Sequence, residues 1–234
     1  MDRREFNSVW LPVLGVCLGL SATAARALSL ADLSQGQASQ GLKAALEQGA
    51  KAAVAQLGQT DGFLGNEKVR IPLPGYLNDA ASLLRTFGQG ARLDELVTAM
   101  NRAAEAAVPL ARDLLLAAVR GMSIDDAKKI LAGGETSVTA FFAEKTRTPL
   151  SQKFLPLVTR STEKVGLADK YNQVAGRAAE LGLMRREDAS IQQYVTGKAL
   201  DGLYLVIGEE ERKIRRDPVG TGSAVLSKVF GALK

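Results

Sequence analysis

The sequence predicts an all-α fold, an irregular multi-helix array around a long central helix. Three observations carry this. Apolar residues recur three and four apart almost everywhere from Ser34 onward, which is the period of a half-buried helix. No stretch alternates apolar and polar residues for long enough to make a strand. Glycines, prolines and capping side chains break the chain at helix-length intervals. With no internal repeat and no low-complexity linker, residues 28–234 read as a single helical domain.

Residues 1–27 precede that domain and have the layout of a cleavable export signal. A charged start with Arg3 and Arg4 leads into the apolar run Val9 to Leu20, and a small-residue end follows at Ala25-Arg26-Ala27. Cleavage after Ala27 is expected, with Ala22-Thr23-Ala24 as the alternative. The run is shorter than the roughly 20 residues a membrane span needs and contains Pro12, so no stable span is expected after cleavage. Asp2-Arg3-Arg4-Glu5-Phe6 resembles the twin-arginine pattern, although Asn7 and Ser8 depart from it, and general secretion fits equally well. Val16 before Cys17 argues against a lipid-modified cysteine. The expected location is therefore periplasmic or otherwise exported, by either route.

The first helix spans Ser34 to Gly58, with Leu42, Leu46, Ala50, Ala53 and Leu57 on one face. Asp61 to Gly75 cannot be helical throughout, because Gly62 and Gly65 permit turns and Pro72 and Pro74 force the residues before them into extended geometry. A second helix covers Tyr76 to Phe87. One apolar stripe then runs from Leu93 to Val119 as the central helix, which Pro109 must kink or end. Ser123 caps a short helix over Ile124 to Leu131, with Asp125 and Asp126 well placed in its first turn. Thr136 to Lys145 forms another, and Thr148-Pro149 reads as cap and first residue of the next, which Gly166 closes. Leu167 to Leu181, Ala189 to Arg216, and a final amphipathic helix from Pro218 to about Leu233 complete the array.

Composition excludes more chemistry than it suggests. There is no His, and Cys17, the only Cys, lies inside the export segment. The mature chain therefore cannot run Ser-His-Asp or Cys-His catalysis, cannot build the usual zinc, haem or iron-sulfur sites, and cannot form a disulfide. No cofactor and no metal are expected. Removing Arg3, Arg4 and Arg26 together with Asp2 and Glu5 takes the formal charge from +5 to +4. That excess is mild and aromatics make up 5% of the chain, so nucleic acid is not an expected partner; an envelope protein or a lipid is.

Two groups of polar residues border apolar helix faces. Asn101, Arg102 and Glu105, with Arg112 two turns on, edge the central stripe, where such residues either bridge to neighbouring helices or line a small polar pocket. Tyr194, Lys198 and Asp201 follow at intervals of four and three on the last long helix, a set able to do acid-base work only if burial shifts the lysine. Neither group is assigned a catalytic role. Ser161-Thr162-Glu163-Lys164 has Ser-x-x-Lys spacing without the companion elements of penicillin-binding enzymes, and reads as a solvated helix face. The Gly-rich turns at Gly133-Gly134 and Gly220 to Ser223 lack a phosphate-loop lysine and read as caps. Glu209 with Lys213, and Glu211 with Arg215, are expected to pair along a solvated face.

Asp61-Gly62-Phe63-Leu64 leading to Ile71-Pro72-Leu73-Pro74, the run Met100 to Leu114, the run Ser123 to Gly134, and Tyr194 to Tyr204 together resemble a bacterial envelope family, domain of unknown function 4197. The resemblance covers nearly the whole mature chain. It implies a helical exported protein of Gram-negative bacteria and supplies no catalytic residues. The function expected from residues and resemblance together is a non-catalytic binding or structural protein of the envelope. The alternatives are a carboxylate- or Lys-based hydrolase of envelope polymers, which needs two converging acids, and a carrier of an apolar ligand.

Overall fold

A computed structural model describes residues 35–134, 136–183 and 185–216, and within them the protein is all-α. The expected export segment, the expected final amphipathic helix and the expected Gly220 to Ser223 cap lie outside the described residues. The helices are α1 (Gln35–Leu57), α2 (Gly75–Thr86), α3 (Gly90–Ala107), α4 (Arg112–Arg120), α5 (Ile124–Ala132), α6 (Ser137–Thr162), α7 (Gly166–Glu180) and α8 (Ile191–Arg216).

The central stripe is a broken rod. Pro109 has no N–H to give the preceding turn, and the helix tightens into a 3-10 turn over Val108–Ala111 between α3 and α4. Ala103, Ala104, Ala107, Val108 and Ala111 are all fully buried there. Such short side chains let α1, α6 and α8 close around the rod, and one continuous core runs through all of these helices. α5 starts as expected, with Asp126 N–H donating to Ser123 Oγ at 3.0 Å and Ser123 N–H donating to the Asp126 carboxylate at 3.1 Å.

One helix boundary differs from expectation. Thr148-Pro149 does not start a new helix: α6 continues from Ser137 through Pro149 and Pro156 to Thr162. Val138, Phe142, Thr146, Leu150, Phe154, Val158 and Thr162 are buried at every fourth position across both prolines, against α3 and α8. The energy of burying that row outweighs the roughly 3 kcal/mol an interior proline costs. The two buried threonines satisfy their hydroxyls within the helix, Thr146 Oγ1 to Phe142 O at 2.6 Å and Thr162 Oγ1 to Val158 O at 2.9 Å.

The charged end of α8 also differs from expectation. Glu209 pairs with Lys68 of the connector at 2.8 Å rather than with Lys213, which pairs with Glu210. Glu211 is buried, not solvated. The cause is tertiary, since this end of α8 packs against α1 and the connector reaches across to it.

Candidate functional site

The backbone of the connector between α1 and α2 needs partners that a helix would have supplied. Gly62 is required: a Cβ there would sit 2.5 Å from Leu57 O. The preceding Asp61 takes a positive φ of 65°. Beyond this turn, Phe63 is fully buried, with its ring edge 2.9 Å from where Gly202 of α8 would carry a Cβ. α3 supplies the polar partners. Glu105 Oε1 accepts from Phe63 N–H at 3.1 Å and Leu64 N–H at 3.0 Å, while its Oε2 accepts from Arg102 Nη1 at 2.7 Å. Arg102 Nη2 goes on to Asp61 at 2.8 Å. Asn101 acts as a strand neighbour would, accepting from Ile71 N–H at 2.8 Å and donating to Ile71 O at 2.9 Å.

The next residue is held from the other side. Tyr194 of α8 donates its hydroxyl to Pro72 O at 3.2 Å, so α3 and α8 fix consecutive residues of one segment. Between that segment and α7 lies a cleft of about 450 Å³ lined by Pro72 to Gly75, Tyr171, Tyr194, Lys198, Arg185 and Asp188. Tyr171 donates to Asp188 O at 2.8 Å, and the Asp188 carboxylate accepts from Arg185 Nε and Nη2 at 3.0 and 2.8 Å. Burial pushes the Tyr171 phenol up and the Tyr194 phenol up to about 12, with Asp188 adding to both. Both are therefore protonated donors near neutral pH, not bases. Lys198 Nζ lies 5.8 Å from the Tyr194 ring centroid, in cation-π range, and meets no carboxylate within ion-pair reach among the described residues.

The family model described as "Protein of unknown function (DUF4197)" matches residues 32–231. The chain belongs to the DUF4197 family. No curated protein and no solved structure matches it. In this DUF4197 protein the blocks Asp61 to Leu64, Ile71 to Pro74, Met100 to Leu114 and Tyr194 to Tyr204, separate in sequence, meet at the connector and the cleft beside it.

The seven polar residues singled out in the sequence do not form one pocket. Asn101, Arg102 and Glu105 act together on the connector, and Tyr194 and Lys198 line the cleft that the connector walls. Asp201 turns to α6, where it accepts from Arg147 Nη2 at 2.7 Å. Arg112 is exposed at the start of α4 and bonds to none of the other six. Ser161 spends its hydroxyl on Leu157 O at 3.0 Å, within its own helix. Sequence reading missed Tyr171, Arg185 and Asp188, which come from α7 and the turn after it and carry no recognisable spacing. Pro72 and Pro74 were visible as breakers, a signal that gives no hint of their place as a cleft wall.

Proposed function

We propose that this DUF4197 protein is an exported, non-catalytic binding protein of the bacterial envelope, and that the Tyr194 cleft is its binding site. The observation that carries the reading is the pairing of a rigid wall with an uncompensated charge: Pro72 to Gly75 is pinned from α3 and α8, and the Lys198 ammonium stands beside it without a carboxylate. A pre-formed apolar wall with an unpaired lysine at its edge, beside the Arg185–Asp188 pair, suits a ligand or partner segment that presents an acidic group. The hydrolase reading is weaker, because each of the four clefts described is lined by at most one carboxylate. The carrier reading is also weaker, because those four clefts open to solvent instead of enclosing an apolar chamber. The export half rests on residues 1–27.

The test is to produce the full chain in a Gram-negative host and to recover it by gentle osmotic release. Amino-terminal sequencing should begin at Leu28. Native mass spectrometry of the wild type should show a retained adduct that K198M lacks. Equal adducts in both, or a chain retained in the cytoplasm with its signal uncleaved, would overturn the corresponding half.

A further inference from the structure

On the opposite flank of α8 from Lys198, between α8 and α6, a second cleft of about 420 Å³ opens to solvent. The turn before α8 serves both sides: Arg185 lines the first cleft and Arg186 the second. Two observations at its floor have no account in the packing of the protein, and the sign of charge around it is a third argument. Thr196 is 4% exposed, yet its Oγ1 has no hydrogen-bond partner among the described residues. Buried helical threonines elsewhere in the chain, Thr146 and Thr162, bond the carbonyl one turn back, and Thr196 does not. A buried hydroxyl left unpaired is costly unless something outside the chain completes it.

The neighbouring residue, Gly197, is the second. Glycine inside a helix is unfavourable, and the other glycines of this part of α8 have a steric reason, since a Cβ at Gly202 would meet Phe63 at 2.9 Å and one at Gly208 would meet Thr139 at 2.8 Å. A Cβ at Gly197 would meet nothing within 4 Å. Its bareness keeps the cleft floor open. The third is charge. No carboxylate among the described residues lines this cleft, while Arg147 and Arg186 both do. Arg147 gives Nη2 to Asp201 and rests 5.3 Å over the Tyr204 ring, which fixes its plane and leaves further donors for a ligand.

We infer that this cleft is a second binding site, for a small hydroxylated ligand carrying an oxyanion, the chemistry of a sugar acid. The two arginines take the oxyanion, Gln152 and Gln193 offer amides to ring hydroxyls, and Thr196 Oγ1 gains the partner it lacks. The site is independent of the Tyr194 cleft and stands or falls without it.

The probe is glucuronate, titrated by isothermal calorimetry and by amide chemical shifts into the mature chain, with glucose and acetate as comparison ligands. Saturable glucuronate binding is expected, at least tenfold tighter than either comparison ligand. G197L fills open space in a helix, so it should keep or gain thermal stability while weakening binding at least tenfold, and R186Q should weaken it similarly. G176L, at an equally open glycine on α7, should bind as the wild type does. The inference is overturned by absence of saturable binding, by acetate binding as tightly as glucuronate, by G197L binding normally, or by loss of binding in G176L.

Discussion

At the residue scale, Glu105 anchors the connector to α3. Its carboxylate is nearly fully buried and accepts two backbone N–H groups and one guanidinium donor. Glu105→Ala would strand those donors, one of them at the buried Phe63, and should cost about 3 kcal/mol in urea unfolding, whereas Glu105→Gln keeps one acceptor and should cost roughly half as much. Asn101→Ala should cost about 2 kcal/mol for the same reason, since both polar atoms of the side chain serve Ile71. A change under about 0.5 kcal/mol in either alanine variant would show that the connector holds itself. Tyr194 gives a pH dependence. Its folded pKa lies above the usual phenol value, so the unfolded chain releases the proton first. The stability contributed by the neutral phenol is complete below about pH 10 and is lost as pH rises toward 12. Urea midpoints of the wild type should therefore fall more steeply than those of Y194F above pH 10 and run parallel below pH 9. Parallel slopes throughout would refute the assignment. The polar edge of α3 was visible in the sequence, but its partner was not, because a side chain that binds backbone carries no complementary residue type to look for.

At the element scale, α6 separates what periodicity reveals from what it hides. Apart from Phe141, its buried residues recur every four positions, so on a helix of 3.6 residues per turn the row advances about 40° at each step and winds around the axis. A row that winds meets α4 and α5 near one end and α3 and α8 along its length, and no fixed apolar face marks it. Combined with Pro149, that drift made one helix look like two. Pro156 is exposed and interior, so Pro156→Ala should raise the urea unfolding free energy by about 1–3 kcal/mol, the proline's cost less the entropy it removes from the unfolded chain. Phe154→Ala, on the buried row, should lower it by about 3–5 kcal/mol. A stabilising Phe154→Ala or a destabilising Pro156→Ala would mean that the row does not hold the helix together. By contrast, α5 was legible down to its cap, because Ser123 and Asp126 settle that start between themselves.

At the scale of the whole molecule, the domain is held by packing alone. Removal of residues 1–27, as proposed, would take away Cys17, the one thiol of the sequence, and the urea midpoint of the remaining chain should then be the same with and without reductant. A reductant-dependent midpoint would show that the segment carrying Cys17 stays attached. Among the described residues no helix is long and apolar enough to cross a membrane.

The sequence by itself determined the helical class, the break at Pro109, the cap of α5 and the exclusion of imidazole chemistry. Each depends on local backbone sterics or on simple presence and absence, which need no third dimension. Tertiary structure alone decided that Asn101 and Tyr194 grip adjacent residues of the connector, that α6 runs through two prolines, and that Arg185 and Arg186 part to opposite sides of α8. Those outcomes depend on which faces meet, and long-range packing energy overrides local preference wherever a buried row or an unsatisfied backbone group is at stake.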